Sequence, residues 1–408
     1  MAQALLKQKT IGGKYVEVNF NNVYSNCFVE RFGNRYLSSS RDVLAATTVG
    51  DYALFGGGHD ASGSYDDSNY FSTVDAYNKS LTRSTPTSLS SPRGFFTATI
   101  VGDLALFGGG SNNSASSRVD VYNTSLTRTT TIDLSVARDC LTSTTVGNYA
   151  LFGGGKEASN EGNSYSTVDA YSTLTRLTPT ALFDARHDLA ATTVGNYALF
   201  GGGVGYSYYS TVDAYNTSLT RSTPTTLSLS RSSLAATTVG DYALFGGGYH
   251  YMVGNAWDTT VDAYNTSLTR STPTVLSQSR NSLGATTLGN YALFGGGWSG
   301  DSAKRTVDSY NTNLTRSTAT SLGDSRSNLV ATTVGGYALF GGGYSSDTSS
   351  ASSYVDVYHL QAQVVVYPGT KYKLGSMSSE STSSSIQTIT TSTPINGYIK
   401  IKDTAISS

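Results

Sequence analysis

The sequence is poor in charge and in cysteine, and each shortage excludes a class of protein. Charged residues make up 13% of the 408 residues, with a net charge of −1, whereas about 25% is usual in globular proteins. A surface that neutralises many phosphates needs more Lys and Arg than this, so no nucleic-acid partner is expected. Two cysteines, Cys27 and Cys140, cannot build a disulfide framework or a Cys-rich zinc site. Two buried free thiols are favoured over a single bridge.

Long apolar runs are also missing. No segment approaches the ~20 consecutive apolar residues of a membrane helix, and the first ten residues lack the apolar stretch of a signal peptide. We therefore expect a chain made in the cytoplasm without a signal peptide and without membrane insertion. It can still act elsewhere, for instance on a virion.

An internal repeat is the dominant feature of the sequence. Ala-Leu-Phe-Gly-Gly-Gly occurs seven times and uses 21 of the 43 glycines, and successive triplets start 52, 45, 48, 45, 49 and 46 residues apart. Val-Asp-x-Tyr also occurs seven times, from Asp75 and Tyr77 to Asp356 and Tyr358. Leu-Thr-Arg follows in six units, beginning with Arg83. A further arginine precedes each unit, at positions 41, 93, 138, 186, 231, 280 and 326.

Each unit reads as four short strands. These are Ala-Ala-Thr-Thr-Val, Tyr-Ala-Leu-Phe, Thr-Val-Asp-Ala-Tyr and a run from Leu-Thr-Arg to Thr-Pro-Thr, and the first two are joined by a Gly-Asp or Gly-Asn hairpin turn. Four strands in each of seven units of about 45–50 residues predict an all-β fold, a seven-bladed β-propeller.

At these motifs the chain resembles the kelch family of propellers, over residues 27–361. The resemblance rests on the glycine run after the second strand, the Val-Asp-x-Tyr strand and the arginine before each unit. The Trp that kelch repeats carry about seven residues after the Tyr is missing, and Ser84, Ser222, Ser271 and Ser317 stand there instead. The chain is therefore identified as kelch-like.

The ends of the chain suggest how the ring closes. Val29-Glu30-Arg31 precedes Arg41 as Leu219-Thr220-Arg221 precedes Arg231, so residues 27–37 are expected to supply the outer strand of the last blade; the alternative is residues 363–367. The predicted division is an attachment segment 1–26, a propeller 27–361 and a Ser/Thr-rich segment 362–408. The two end segments either pair as a small β module or form a disordered tail.

One connection per unit carries nearly all the length variation. Between the triplet and the next Val-Asp it measures 15, 8, 12, 8, 12, 9 and 11 residues in order, and all seven copies must emerge on one face. Aromatic side chains over a rigid scaffold are typical of binding loops, so this face is predicted to bind a ligand; drift of repeat loops is the alternative. The predicted ligand-binding residues there are Trp257, Trp298, Tyr249, His250, Tyr251, Tyr206, Tyr208, Tyr209, Tyr344, Tyr65 and Tyr70.

The arginines that open the units are a second candidate set. The kelch resemblance implies that they lie on the same face, where Arg231, Arg280 and Arg326 could hold carboxylates or phosphates. Their sevenfold repetition favours a structural contact instead. The repeated Asp75 and Arg83 positions are expected to pair within the scaffold.

Signals for catalysis are weak. The four histidines lie in different units, and no phosphate-binding loop is present. A glycosidase needs two carboxylates in one cleft; candidates such as Asp66 and Asp258 exist, but nothing in the sequence singles them out. No catalytic residue, metal or cofactor is predicted.

Three classes of function remain. The favoured one is a non-enzymatic protein that binds cell-surface glycan, and its similarity to kelch-like tail-associated proteins of phages and prophages implies an adhesin tethered to a larger assembly by its termini. A protein–protein interaction scaffold and a carbohydrate-active enzyme are the alternatives. Homo-oligomerisation is left open.

Overall fold

The computed structural model describes residues 15–19, 27–61, 69–158, 163–173, 175–252, 254–366, 371–374, 381–382, 387–390 and 398–402. These residues form strands and turns, without an α-helix. Accordingly, none of them belongs to a helix long and apolar enough to span a membrane. The all-β prediction is confirmed. The chain divides into two compact units, residues 31–358 and residues 1–30 with 359–408, and each is described by itself.

The larger unit consists of repeated antiparallel sheets of four strands, which we call sheets 1 to 7 in chain order. The first strands are Ala45–Val49, Thr97–Val101, Thr142–Val146, Ala190–Val194, Ala235–Val239, Gly284–Leu288 and Val330–Val334. The second strands are Tyr52–Gly56, Leu104–Gly108, Tyr149–Gly153, Tyr197–Gly201, Tyr242–Gly246, Tyr291–Gly295 and Tyr337–Gly341. The third strands are Val74–Asn78, Val119–Asn123, Val168–Ser172, Val212–Asn216, Val261–Asn265, Val307–Asn311 and Tyr354–Val366.

The fourth strands are Arg83–Ser84, Arg128–Thr130, Thr175–Leu177, Arg221–Ser222, Arg270–Ser271 and Arg316–Ala319. In sheet 7 this position is taken by Cys27–Tyr36, which lies beside Tyr354–Val366. Within the larger unit Arg31 Nε is 2.6 Å from Asp356 Oδ1, and the N–H of Leu37 donates to the carbonyl of Ser353.

The fourth strands are shorter than predicted, for a local reason. In sheet 1, Leu81 has φ +59° and belongs to a turn. The side-chain oxygen of Asn78 closes this turn by accepting from the N–H groups of Ser80 and Thr82 at 2.9 and 3.0 Å. Pro86 lacks an N–H for the ladder beyond it. The strand is therefore confined to the residues between the turn and the proline.

Neighbouring sheets bury their second and third strands against each other. Between sheets 1 and 2, the core contains Leu54, Val74, Phe96, Phe107 and Tyr122, each 7% exposed or less. Tyr122 packs edge-on against Phe107 and donates its hydroxyl to the carbonyl of Thr87. Such a sheet is apolar on both faces because each face meets another sheet.

Each glycine of a triplet has its own steric reason. A Cβ at Gly153 would lie 2.7 Å from the ring of Phe200 in the next sheet. A Cβ at Gly154 would lie 2.5 Å from the carbonyl of Arg186, and one at Gly155 2.8 Å from that of Asp139. The last two also have positive φ, +68° and +104°. The triplet is constant because its first two glycines closely approach the next sheet and its third approaches the arginine connection of its own unit.

In the smaller unit, strands from the two ends of the chain pair. Tyr15–Asn19 lies antiparallel to Tyr398–Lys402, which pairs with Lys371–Leu374, and the latter pairs with Ser381–Thr382. Gln387–Thr390 pairs with the end of the strand Tyr354–Val366. The domain boundaries given above stay a prediction.

Candidate functional site

The variable connections start on short backbone ladders. The residue after each triplet forms an antiparallel bridge with the residue after the arginine that opens the same unit, as His59 does with Asp42 and Trp298 with Asn281. In sheets 5, 6 and 7 these ladders grow into the short strands Tyr249–Met252, Gly254–Trp257, Trp298–Ser299, Ser302–Ala303, Arg326–Ser327, Tyr344–Ser345 and Ser350–Ala351. The variable connections and the arginine connections therefore share one face, which we call the ladder face.

A ring of backbone hydrogen bonds lies beside these ladders. It is formed by the second residue after each arginine: Val43, Phe95, Cys140, Asp188, Ser233, Ser282 and Asn328, all at φ between +45° and +56°. The N–H of each donates to the carbonyl of its counterpart in the preceding sheet, at 2.8–3.3 Å, and Val43 donates to Asn328. The ring therefore returns to its start. Because only main-chain atoms make it, the seven side chains are free to differ.

The repeated arginines do not offer a surface to a ligand. All seven are 0–1% exposed. In sheet 4 the Nη2 of Arg186 contacts Asp213 at 2.6 Å and the carbonyl of Phe200 at 3.1 Å. Arg221 holds the other oxygen of Asp213 at 3.1 Å. Arg231, Arg280 and Arg326 pair in the same way with Asp262, Asp308 and Asp356, so we leave these three predicted ligand contacts out of the site.

Burial sets the electrostatics of these pairs. It lowers the pKa of Arg41 to about 10, and the neighbouring Asp75 opposes that fall. The guanidinium thus stays charged at neutral pH, and its ion pair braces one strand connection against the third strand. The predicted pairing of the Asp75 and Arg83 positions is present, with Arg83 Nη1 at 2.9 Å from Asp75 Oδ1.

A cavity of about 360 Å³ opens on the ladder face where sheets 6, 7 and 1 meet. Two aromatic rings line it, Trp298 and Tyr344, with centroids 6.3 Å apart and planes at 50°. The Nε1–H of Trp298 donates to the carbonyl of Gly300 at 2.9 Å, which fixes the indole. His59 also lines the cavity and packs on Tyr70 at 4.9 Å. Trp298, Tyr344 and Tyr70 are thus the predicted residues found at or next to this cavity.

The polar lining of the cavity contains two buried oxygen atoms that receive no hydrogen bond. Asp42 is 6% exposed, and neither its Oδ1 nor the Oδ1 of Asn281 has a hydrogen-bond partner. Ser282, Ser327 and Asn328 complete the polar part of the lining. Burial raises the pKa of Asp42 to about 7, and the charge of Asp60 acts in the same direction. Such buried acceptors are costly unless a donor reaches them.

A second aromatic group lies on sheets 4 and 5. The ring centroid of Tyr249 lies 5.9 Å from that of Trp257, its cross-strand partner, and 5.9 Å from that of Tyr208 in the neighbouring sheet. Tyr251 and Tyr206 are exposed nearby in sequence. The two tryptophans predicted as one site thus belong to different aromatic groups.

The remaining predicted residues are placed as follows. His250 lies half-buried between Tyr249 and Tyr251 in the same strand. Tyr209 is half-buried, and its N–H donates to the carbonyl of Gly203. Tyr65 and Asp66 lie outside the described residues. Asp258 is 6% exposed and caps the turn to Thr260 through Oδ1.

Sequence reasoning missed Asp42, Asn281, Ser282, Ser327 and Asn328. The signal was present: two residues after each repeated arginine vary freely, between the constant arginine and a constant Leu or Phe. These two positions have the same spacing in every unit, so variation in loop length does not single them out.

Also on the ladder face, polar side chains of sheets 3 and 4 come together. His187 Nε2 lies 3.7 Å from Asp188 Oδ2, and its Nδ1 shares a hydrogen bond of 3.0 Å with Ser164. Burial raises the pKa of the Cys140 thiol. In the part of the chain that the structure describes, no three His, Cys, Asp or Glu side chains are grouped so as to hold a metal ion.

Comparison with known proteins supports the fold and gives no information on function. No protein family model matches the chain, and no curated protein matches it. Among solved structures, the chain is similar to YjhT, a kelch-type β-propeller protein, with a TM-score of 0.50 and 10% identity over 79% of this chain and 95% of that one. The repeated four-stranded sheets and this likeness are consistent with a kelch-like propeller.

Proposed function

We propose that this protein is a non-enzymatic binding protein that recognises a glycan in the cavity between sheets 6, 7 and 1. One observation carries the proposal: two aromatic rings and two buried oxygen atoms that receive no hydrogen bond line the same cavity. Sugar rings present an apolar face to aromatic side chains and hydroxyl donors to polar ones. A cavity of 360 Å³ falls in the size range of small-ligand sites.

The described lining supports binding over hydrolysis. Asp42 is the one carboxylate among the described residues that line the cavity, whereas most glycosidases use two flanking carboxylates. Asp258, suggested by the sequence as one of such a pair, is held in a turn of sheet 5.

The biological setting of this proposal is a host-recognition protein associated with a phage tail. It is supported by the near-identical repeats and the Ser/Thr/Tyr richness of the chain. The paired strands from the two chain ends would provide the attachment to a larger assembly.

The test is a glycan array and a whole-cell binding assay with Trp298→Ala beside Trp257→Ala. Removal of a partly buried aromatic contact costs on the order of 2 kcal/mol, about thirtyfold in affinity. We expect that loss in Trp298→Ala and wild-type binding in Trp257→Ala, which removes the same side chain from the other aromatic group. Absence of binding to any glycan or cell contradicts the proposed function.

A protein ligand is the second candidate, favoured by the aromatic group on sheets 4 and 5. Tyr208, Tyr249 and Trp257 are in ring contact there, and Tyr206 and Tyr251, two residues from them in sequence, are exposed. Tyr and Trp are common anchors of protein interfaces. Cell binding that is lost in Trp257→Ala and kept in Trp298→Ala would support this candidate.

A further inference from the structure

One oxygen of the Asp42 carboxylate, Oδ1, receives no hydrogen bond. Asp42 is 6% exposed. Ionised carboxylates at this depth are normally paired with a cation or hydrogen-bonded. Asp42 faces a cavity, so a group that enters the cavity can supply the missing contact.

The surrounding side chains do not neutralise it. His59 Nδ1 lies 3.7 Å from Asp42 Oδ1, but this nitrogen accepts the N–H of Ala61 at 2.9 Å and so has no proton to give. Arg41, the preceding residue, turns its guanidinium to Asp75. Asp60 adds charge of the same sign.

The rest of the described lining is neutral. Asn281, Ser282, Ser327 and Asn328 are uncharged, as are Trp298 and Tyr344. The cavity thus combines one buried negative charge with two aromatic faces, an environment that attracts cations electrostatically and through ring quadrupoles. Its free oxygens are acceptors, so the complementary ligand is a donor.

We propose that the cavity selects a sugar with a free, protonated amino group, that is, a non-acetylated hexosamine. Its ammonium group would contact Asp42, its ring would lie against Trp298 and Tyr344, and Asn281 Oδ1 would accept from a neighbouring hydroxyl. Acetylation abolishes the charge of the amine, and an acidic sugar would place a like charge beside Asp42. This inference rests on the proposed function and names its ligand class.

The experiment compares two oligosaccharides that differ only at the amine, the glucosamine tetramer and the N-acetylglucosamine tetramer. Isothermal titration at pH 7.5 is expected to show at least tenfold tighter binding of the glucosamine tetramer to the wild-type protein. Asp42→Asn keeps the shape and removes the charge, so the preference should vanish. Asp258→Asn, a buried carboxylate on the same face, is the matched control and should keep the preference.

The outcomes separate this inference from the proposed function. Equal or tighter binding of the acetylated tetramer by the wild-type protein overturns the amine preference and leaves glycan binding intact. Binding of neither tetramer, with other glycans bound on the array, overturns only the inference. Binding of no glycan overturns both. The wild-type comparison needs no variant, so it decides the question even if Asp42→Asn folds poorly.

Discussion

At the scale of the residue, the buried carboxylate that we propose for ligand binding, that of Asp42, lowers the stability of the folded protein. Its pKa is raised to about 7 in the folded protein, whereas an unfolded Asp titrates near 3.9. Between about pH 4 and pH 7, Asp42 is therefore protonated in the folded chain and ionised in the unfolded chain. The free energy of unfolding must fall as the pH rises through this window, because the folded state has to ionise a buried group.

Asp42→Asn should remove this penalty. Its free energy of unfolding should match that of the wild type near pH 4 and exceed it above pH 7, by on the order of 2–4 kcal/mol. Urea unfolding of both proteins at pH 4.5 and pH 8 measures the difference. A variant that is less stable than the wild type at pH 8 would show that Asp42 has a stabilising partner in the folded protein.

Part of the site was predictable at this scale. Trp298 and Tyr344 stand out in the sequence as aromatic residues in a variable connection, and both line the cavity. The depth of Asp42 and Asn281 was not predictable, because three sheets together form the cavity that they line, and each precedes a residue with positive φ, Val43 or Ser282. Nothing in the sequence identifies a Val as left-handed.

At the scale of the element, threonine hydroxyls join neighbouring first strands. Thr238 shares a hydrogen bond of 2.9 Å with Thr192 of the preceding sheet and donates to the carbonyl of Thr193 at 2.7 Å. Thr48, Thr193 and Thr287 make the equivalent contacts. Sheet 2 has Ile100 at this position, 39% exposed.

Ile100→Thr should therefore stabilise the protein. The new hydroxyl would reach Thr47 Oγ1 and the carbonyl of Thr48 in sheet 1, and each added hydrogen bond contributes about 0.5–1.5 kcal/mol. Ile100 is partly exposed, so little apolar burial is lost. The matched change Thr238→Ala should destabilise by a similar amount. Thermal unfolding of both variants tests this, and a lower melting temperature for Ile100→Thr would contradict it.

The strands themselves followed from the sequence because each depends on local pattern. Val, Thr, Tyr and Phe at alternating or doubly apolar positions predicted four strands per unit, and the structure has them. The short fourth strand was overestimated. Its start depends on the turn at Asn78 and Leu81, where the Leu takes a conformation that its residue type does not suggest.

At the scale of the whole molecule, Arg31 lies in the early strand that completes the last sheet. Its Nε contacts Asp356 at 2.6 Å, as Arg221 contacts Asp213 at 3.1 Å within sheet 4. Counting back from Arg41 placed Arg31 at this position from the sequence alone. The two pairs differ in one respect: Arg31 and Asp356 are 325 residues apart along the chain, whereas Arg221 and Asp213 are 8 apart.

We therefore expect Arg31→Ala and Arg221→Ala to cost similar stability but to differ in their effect on local hydrogen exchange. Each leaves a buried Asp with one arginine instead of two, at a cost of about 1–3 kcal/mol. Arg31→Ala also loosens a contact between distant parts of the chain, so we expect faster hydrogen exchange at residues 31–37 and 354–358, with no such local effect elsewhere. Equal, uniform effects of both variants would contradict a special role of Arg31.

The main-chain ring of Val43 and its six counterparts has a consequence for how such a protein changes over time. Because its hydrogen bonds involve no side chain, a unit can be exchanged for another copy and the ring keeps its main-chain geometry. Near-identical repeats recombine readily, and each exchange would move the two residues after the arginine and one variable connection together. Each of the seven units would then contribute its own part of the binding specificity. Exchange of units could produce new specificities without a new fold and without a succession of single substitutions.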